Sequence, residues 1–175
     1  MKKYLIAVDL QKDFVDGALG TKEAVAIVPA AVKEIEQAKK DGKTVVVTLD
    51  THTEEYMNTS EGRHLPVVHC VKGTPGWQLD AAIEKAAAGA VRVEKPTFGS
   101  TALPALIEKM SAGETPEIEL IGLCTDICVV SNALILKAHF PEAKISVNAA
   151  CCAGVTPEKH LAALETMRSC QIEVF

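Results

Sequence analysis

Short aliphatic runs alternate along the chain with longer segments of helical spacing, and this alternation constrains the fold more than any other feature of the sequence. Such short apolar runs are typical of strands that are buried on both faces of a sheet. We predict six strands, at residues 4–8, 43–49, 90–94, 118–123, 143–147 and 171–175. Because parallel strands are joined by helical crossovers, the pattern predicts a three-layer α/β fold, with about six parallel strands and helices on both faces.

The segments between these runs carry the signals of helices. We predict four of them at residues 29–41, 77–88, 125–138 and 156–169. Pro29 should lie in the first turn of the first helix, and Gly42 should follow its end. Ser100 should cap a fifth helix, between the strands predicted at residues 90–94 and 118–123. Residues 51–76 are polar and contain Gly and Pro, so we expect one long loop, which in a compact domain is usually functional.

The composition excludes several classes of protein. A length of 175 residues suits one domain, here residues 1–175, which can bury a full core without disulfide bonds. A hydrophobic fraction of 48% is too high for a disordered chain, and a net charge of −5 argues against a nucleic-acid binder. No apolar run approaches the roughly 20 residues that span a bilayer, so no membrane partner is expected.

The six cysteines are expected to be free thiols in a cytoplasmic protein. The apolar run at the N-terminus is too short for a signal peptide, and no Cys-x-x-Cys pair is present. Most cysteines of this kind are small buried hydrophobic residues, and we expect Cys151, Cys152 and Cys170 to lie in the core. Cys128 is the exception, because it falls in the first turn of a predicted helix directly after a predicted strand.

An acid, a lysine and a cysteine follow three different strands. Asp9 follows the first strand, Lys95 the third and Cys128 the fourth. Ligands bind at the carboxyl ends of parallel strands, so these side chains should converge. The N-terminus of a helix lowers the pKa of a thiol from its usual value of about 8.5. Asp9 is the available base, and the positive charge of Lys95 would favour both the thiolate of Cys128 and the carboxylate of Asp9. The alternatives are caps or solvated residues for Asp9 and Lys95, and a buried packing residue for Cys128.

The long loop contains residue types that bind metal ions. Asp50 and His52 face the same side if the chain is extended, and Glu61, His64 and His69 follow them. Imidazole and carboxylate ligands suit zinc, manganese or iron. The alternative is a polar surface loop that binds no ion.

Four segments together resemble a known family. They are residues 8–14 (VDLQKDF), 50–52 (DTH), 94–100 (EKPTFGS) and 122–129 (GLCTDICV). In this order they resemble the isochorismatase-like cysteine hydrolases, and in particular the nicotinamidases. The resemblance implies a catalytic triad of Asp9, Lys95 and Cys128. It also implies a cis peptide bond between Leu123 and Cys124, and an oxyanion hole formed by the backbone amides of Cys124 and Cys128.

The same resemblance implies one divalent metal ion, with zinc expected first and manganese or iron as alternatives. Its ligands would be Asp50, His52, Glu61 and His69, which leaves His64 as the weakest candidate. In this family the metal binds the pyridine nitrogen of the substrate and orients it. Cys70 follows His69 and should point away from the metal if the chain is extended, so we expect a structural role for it.

The substrate ring would pack against Phe14 and Leu65. Nicotinamidases often carry an aromatic residue shortly before the last metal histidine, but here residues 65–68 are LPVV. An aliphatic wall lacks aromatic stacking, which is worth about 0.5–1.5 kcal/mol. Trp77 and Phe98 are the other aromatic residues that can reach a ring. The sequence therefore constrains the reaction, hydrolysis of an amide, better than it constrains the identity of the acid that is released.

The resemblance implies hydrolysis of nicotinamide to nicotinic acid and ammonia through a thioester, by a protein that forms homo-oligomers. The first alternative is another amidase of the same superfamily, which acts on a carbamoyl or small aliphatic amide. The second is a non-enzymatic metal-binding or thiol-sensing protein on the same scaffold, which would leave Asp9, Lys95 and Cys128 without a role. Isochorismate hydrolysis is disfavoured, because such enzymes commonly lack the nucleophilic cysteine.

Overall fold

A computed structural model describes residues 1–175 and contains one sheet of six strands. The strands are β1 (Lys3–Val8), β2 (Thr44–Asp50), β3 (Val91–Lys95), β4 (Glu117–Leu123), β5 (Lys144–Ala153) and β6 (Glu173–Val174). All neighbouring strands are parallel, and their order across the sheet is β3-β2-β1-β4-β5-β6. This arrangement confirms the predicted parallel sheet.

Helices cover both faces of the sheet. They are α1 (Lys12–Val15), α2 (Lys22–Lys40), α3 (Ser60–His64), α4 (Ala81–Ala86), α5 (Ala102–Ser111), α6 (Val130–His139) and α7 (Pro157–Ser169). Helices α2 and α4 pack on one face, and α5, α6 and α7 pack on the other. A turn of π-helix at Thr125–Val129 runs directly into α6. None of the helices is both long enough and apolar enough to cross a bilayer.

The central strands are buried on both faces, which explains their continuous apolar character. Leu5 and Ala7 of β1 belong to the core cluster on the side of α2, whereas Tyr4 and Ile6 belong to the cluster on the opposite side. Consecutive side chains of a strand point to opposite faces of the sheet. Both clusters consist mainly of Val, Leu, Ile and Ala, as the low aromatic content predicts.

The strand order reverses between β1 and β4, and ligands bind at this position in open parallel sheets. Gly122 of β4 permits the close pairing there. Its φ is +120°, and a Cβ atom at this position would overlap the carbonyl oxygen of Val8. The carboxyl ends of β1 and β4 therefore bring Asp9 beside residues 124–128.

The first long helix starts earlier than predicted. Helix α2 begins at Lys22 rather than at residue 29, and Thr21 caps it by accepting a hydrogen bond from the backbone N–H of Ala24 at 3.0 Å. Pro29 lies inside the helix, so its predicted place in the first turn is wrong. The stabilisation from the Thr21 cap and from the buried face of α2 exceeds the cost of the backbone hydrogen bond that Pro29, which has no N–H, cannot form.

The predicted loop at residues 51–76 is partly helical. It contains 3₁₀ turns at Tyr56–Asn58 and Pro75–Trp77, with α3 between them. The next helix, predicted at residues 77–88, is shorter, because α4 begins only after Asp80 caps it. Helices of one or two turns are too short for an apolar period to reveal them.

The fifth strand is longer than predicted. Strand β5 continues past residue 147 to Ala153, through a shift in its register with β4. Cys151 and Cys152 therefore lie inside the strand rather than after it, and both are buried. Cys170 is exposed, so its prediction as a core thiol is wrong. It directly follows α7 and lies outside the buried face of that helix, which contains Met167.

Candidate active site

Three titratable side chains meet at the carboxyl ends of β1, β3 and β4. The Nζ atom of Lys95 lies 2.5 Å from Oδ2 of Asp9 and 3.5 Å from Sγ of Cys128. All three residues are buried. Lys95 is the last residue of β3 rather than the first residue after it. The structure thus brings together the three side chains that the strand ends predict.

Neighbouring groups hold Asp9 in one orientation. Its Oδ1 accepts a hydrogen bond from the Thr48 hydroxyl at 2.6 Å, and its backbone N–H donates to Thr48 O at 3.2 Å. Its φ of +47° lies in the left-handed region, which residues other than glycine rarely adopt and which is concentrated at functional sites. Oδ2 has its ionic contact with Lys95 but no well-directed hydrogen bond, so it can still accept a proton.

Burial and charge together set the proton affinities of these groups. Burial raises the pKa of Cys128 well above its usual value, the charge of Asp9 raises it further, and Lys95 offsets only part of the increase. The expectation that the helix start lowers this pKa is therefore wrong. Burial likewise raises the pKa of Asp9 despite the nearby ammonium. Although burial lowers the pKa of Lys95, the surrounding acids and the thiol raise it overall, so the lysine keeps its charge.

The turn that carries Cys128 also presents a backbone amide. The peptide bond between Leu123 and Cys124 is cis, as the resemblance implies. The N–H of Cys124 donates to no acceptor in the protein. Cys124 and Cys128 line the same cavity, and burial raises the pKa of the Cys124 thiol to about 12, so this second thiol stays neutral.

Four potential metal ligands cluster at the end of β2. They are Asp50, His52, Glu61 and His69, and one ligand atom from each lies within 4.8 Å of all the others. Nε2 of His52 lies 2.9 Å from Asp50 Oδ2 and 3.7 Å from Glu61 Oε1. Nε2 of His69 lies 3.5 Å and 3.6 Å from the same two oxygens. Separations of this size would allow one ion to bind these atoms at distances of about 2.1 Å.

The chemistry of this cluster fits a divalent cation. The Nδ1–H of His69 donates to Val67 O at 2.7 Å, which leaves the Nε2 lone pair of the neutral ring directed at the cluster. Burial opposes the charge of Asp50, but hydrogen bonds from both histidines, whose Nε2 atoms carry protons when no cation is bound, and the charge of Lys95 lower its pKa overall. Burial and the charge of Asp50 raise the pKa of Glu61. A cation bound between these two acids would offset the cost of burying both negative charges.

A buried glutamine that was not predicted from the sequence holds one of the metal ligands. The Oε1 atom of Gln11 accepts a hydrogen bond from Asp50 N at 2.7 Å, and its Nε2 donates to Asp50 O at 2.8 Å. Tyr56 was also missed, and its ring packs edge-on against the rings of His52 and His69, with centroids 4.7 Å and 4.9 Å away. Gln11 lies inside the segment at residues 8–14, so the motif itself was the signal that could have identified it.

A further unpredicted support lies beside His69. Asp13 accepts a hydrogen bond from the backbone N–H of Cys70 at 2.8 Å, and a Cβ atom on Gly76 would overlap the Asp13 carboxylate. Cys70 is fully buried and lies outside the metal cluster, which agrees with its expected structural role. Its φ is +47° rather than extended, so the geometric reason given for that role was wrong.

A cavity of about 270 Å³ opens beside these groups. The predicted residues that line it are Phe14, Asp50, Glu61, Leu65, His69, Cys124 and Cys128. Phe98 lines it as well. A volume below the usual range for drug-sized ligands suits a substrate with a single small ring.

Part of the lining was not predicted from the sequence, and most of that part comes from segments outside the four motifs. These residues include Leu19, Thr21, Ile127, Val155 and Lys159. His64 and Trp77 are absent from the lining. The Trp77 Nε1–H donates to Thr51 Oγ1 at 2.9 Å, and the His64 Nδ1–H donates to Ser60 O at 2.7 Å on the surface.

The six-stranded parallel sheet and the site at its switch point define an isochorismatase-like α/β protein. Residues 3–175 match the Isochorismatase domain, and the chain belongs to this family. An uncharacterized isochorismatase family protein of Bacillus subtilis is 30% identical to it over 173 residues, which cover 94% of this chain and 93% of that protein. The nicotinamidase/pyrazinamidase of Mycobacterium tuberculosis is 27% identical over 184 residues, which cover 97% of this chain and 96% of that enzyme.

Solved structures share the fold over nearly the whole chain. The pyrazinamidase of Pyrococcus horikoshii in complex with zinc superposes with a TM-score of 0.83 at 27% identity, covering 100% of this chain and 99% of that one. The N-carbamoylsarcosine amidase of Thermoplasma acidophilum superposes with a TM-score of 0.79, also at 27% identity, covering 99% of this chain and 95% of that one. These likenesses confirm the predicted fold.

Proposed function

We propose that this protein is a cysteine-dependent amidohydrolase that converts nicotinamide to nicotinic acid and ammonia through a thioester. One observation carries the proposal: the Lys95 ammonium contacts both Asp9 and Cys128 beside a cavity that the metal-ligand cluster also lines. The named activities of the Mycobacterium tuberculosis and Pyrococcus horikoshii relatives support the same class of substrate.

Asp9 is the general base of the proposed reaction. The proton of Cys128 passes to the carboxylate of Asp9, and the thiolate attacks the carbonyl carbon of the amide. Asp9 then gives the proton to the departing nitrogen, ammonia leaves, and the acyl group stays on Cys128 as a thioester. Water that Asp9 activates hydrolyses the thioester and releases the acid. The raised pKa of Asp9 supports this role, because a base of higher proton affinity takes a proton from a neutral thiol more readily.

The backbone amides of Cys124 and Cys128 form the proposed oxyanion hole. The N–H of Cys124 supports this role, because it has no other acceptor in the protein. Oxyanion-hole donors contribute about 3–4 kcal/mol each where they have been measured. Lys95 stabilises the negative charge that moves between Asp9 and Cys128 during the reaction.

Asp50, His52, Glu61 and His69 would hold one divalent metal ion. Zinc is the first choice, because two imidazoles and two carboxylates suit it and the Pyrococcus horikoshii relative is a zinc complex. Such an ion would supply a coordination position for the ring nitrogen of a pyridine amide by binding it in addition to the four protein ligands. We further propose a cytoplasmic location, which six free cysteines support, and a homo-oligomer, which the family resemblance supports.

The second candidate substrate is a carbamoyl or small aliphatic amide. It is favoured by the aliphatic Leu65 in the cavity wall and by the likeness to N-carbamoylsarcosine amidase. The metal-ligand cluster favours the pyridine amide, because an aliphatic amide offers no ring nitrogen to a metal.

Ammonia release tests the proposal. Wild type, Cys128→Ala and Cys152→Ala are compared on nicotinamide, pyrazinamide and a series of aliphatic amides. Cys152 is a matched control, because it is buried but outside the catalytic cavity. We expect wild type and Cys152→Ala to release ammonia from nicotinamide, and Cys128→Ala to release none. Turnover of aliphatic amides alone would support the second candidate. A protein that turns over no amide, yet binds metal and is oxidised by peroxide, would be the non-enzymatic alternative.

A further inference from the structure

We propose that Asn132 is a positioning residue that holds both the nucleophile turn and the Phe98 wall of the cavity. The inference rests on the proposed amidase function and extends it to a residue outside the triad and the metal cluster. Asn132 lies on α6, one helical turn after Cys128, and has no exposed surface. A polar side chain in such a place must find its hydrogen-bond partners within the protein.

The partners of the Asn132 amide belong to the nucleophile turn and to the segment that carries Phe98. Its Nδ2 donates to Cys128 O at 2.7 Å and to Phe98 O at 3.1 Å, and its Oδ1 accepts from Ser100 N at 2.9 Å. Both N–H donors and the carbonyl oxygen are thereby used. The amide has one stable orientation, because turning it over would leave buried polar groups unpaired.

The segment that Asn132 holds has few other restraints. Residues 96–101 connect β3 with α5 and form neither helix nor strand, and at their end Ser100 Oγ accepts a hydrogen bond from Leu103 N at 3.2 Å. Lys95 Nζ donates to Thr97 O at 3.1 Å, and Gly99 packs so closely on α6 that a Cβ atom would overlap the side chain of Ile135. Phe98 lies between these contacts, lines the cavity and is 43% exposed, so the core gives it little support. Asn132 binds the backbone at both Phe98 and Ser100 and therefore sets the position of this wall.

The two sets of hydrogen bonds have separable effects on catalysis. The bond to Cys128 O holds the turn that presents Sγ to Lys95, so its loss lowers kcat. The bonds to residues 98 and 100 hold a wall that contacts the substrate but not the reacting atoms, so their loss raises KM.

Two substitutions of Asn132 distinguish these effects. Alanine removes all three hydrogen bonds. A serine hydroxyl can bond to the carbonyl four residues earlier in a helix, here Cys128 O, but it cannot reach residues 98 and 100. We expect Asn132→Ala to lower kcat and raise KM by about tenfold each, the effect of roughly one hydrogen bond. Asn132→Ser should recover most of kcat and keep the raised KM.

Coupling to Phe98 provides a second test. Phe98→Ala should raise KM in the wild-type background. It should raise KM by less than about twofold in the Asn132→Ala background, where the wall is already displaced, because effects that share one cause do not add. Independent effects on KM would overturn the proposal.

Tyr4→Phe is the matched control for the loss of a buried hydrogen bond. It removes the buried hydrogen bond between Tyr4 Oη and Ser111 Oγ, which are 3.0 Å apart and outside the cavity lining. It should lower the unfolding temperature and leave kcat and KM unchanged. Asn132 variants that behave in the same way would overturn the proposal. If Asn132→Ala does not fold, Asn132→Ser replaces it, and a wild-type KM in that variant overturns the proposal.

Hydrogen exchange tests the proposal independently of activity. Asn132→Ala should speed amide exchange in residues 96–101 and in residues 124–130, Asn132→Ser only in residues 96–101, and Tyr4→Phe in neither. Unchanged exchange in Asn132→Ala would overturn the positioning role. A wild type that hydrolyses no amide would instead overturn the proposed function, and the exchange measurement would still decide the role of Asn132.

Discussion

The ammonium of Lys95 lies 2.5 Å from Oδ2 of Asp9, and neither side chain has surface exposed to solvent. Both charges have lost their hydration, and a buried pair of this kind is stable only when further polar partners surround it. Lys95 has such partners in Cys128 Sγ at 3.5 Å, Asp50 Oδ1 at 3.4 Å and Thr97 O at 3.1 Å. One cation thus connects the base, the nucleophile and the metal-ligand cluster.

Replacing Lys95 by methionine should abolish hydrolysis and destabilise the protein. The substitution leaves the Asp9 carboxylate buried without its cation, and breaking a buried pair in this way costs about 3–5 kcal/mol. Denaturant unfolding measures the loss. Lys72→Met is the control, because it breaks the exposed pair of Lys72 with Glu94, which should change the free energy of unfolding by less than about 1 kcal/mol. Equal losses in the two variants would contradict the prediction.

Replacing Asp9 by asparagine should lower the pKa of the Cys128 thiol and still abolish amide hydrolysis. Besides burial, the negative charge of Asp9 raises this pKa, whereas Lys95 lowers it. Removing the negative charge while the ammonium remains favours the thiolate, so the rise in thiol reactivity should begin at a lower pH. Hydrolysis should still stop, because asparagine can neither give a proton to the departing nitrogen nor activate the water that hydrolyses the thioester.

The rate of Cys128 alkylation by iodoacetamide, followed against pH, measures this shift. Asp16→Asn is the control, because Asp16 is exposed and pairs with Lys12 away from the cavity. Its alkylation profile should match that of wild type. A profile of Asp9→Asn shifted towards higher pH would show that Asp9 does not disfavour the thiolate.

Removing the metal ion with a chelator should raise KM for pyridine amides and leave Cys128 reactive. The cluster lines the substrate cavity, and no member of it contacts the Cys128 thiol directly. His69→Ala should have the same effect on KM and should lose bound metal. His64→Ala should change neither, because His64 is exposed and outside the cluster. Loss of Cys128 alkylation after chelation would contradict this separation of roles.

Replacing Leu65 by phenylalanine should improve the binding of pyridine amides. Leu65 lines the cavity with 37% of its surface exposed, so a larger ring can be accommodated at its edge. An added aromatic contact is worth about 0.5–1.5 kcal/mol, which corresponds to a fall in KM of about two- to tenfold. Val68→Phe is the control, because Val68 is exposed but outside the cavity lining. An unchanged KM in Leu65→Phe would mean that the ring does not bind against this wall.

The first four strands could be predicted from the sequence to within one residue at each end, whereas β5 and β6 could not. The predictions at residues 4–8, 43–49, 90–94 and 118–123 agree with β1 to β4. Strand β1 shows the reason most clearly, because a strand that is buried on both faces needs consecutive apolar side chains. Strand β5 is predicted to end at residue 147, because the polar Asn148 interrupts the apolar run. Its register shift against β4 lets exposed residues lie inside the strand, and local sequence carries no sign of that pairing.

The site could be predicted as far as residues act through their place at a strand end. Asp9 and Lys95 converge because neighbouring parallel strands end at the same edge of the sheet. Thr48 and Gln11 were not predicted, because their roles depend on which backbone lies beside them. Thr48 supports Asp9 only because β2 pairs with β1, and Gln11 supports Asp50 across the same pair of strands.

By itself the sequence determined the alternation of strands and helices, the residues at the strand ends and the family. Only the tertiary structure decided the proton affinities at those residues. The helix start at Cys128 predicts a lowered thiol pKa, but burial and the charge of Asp9 raise it. The physical reason is that desolvation and Coulomb interactions act through space, and the fold alone decides which groups surround the thiol.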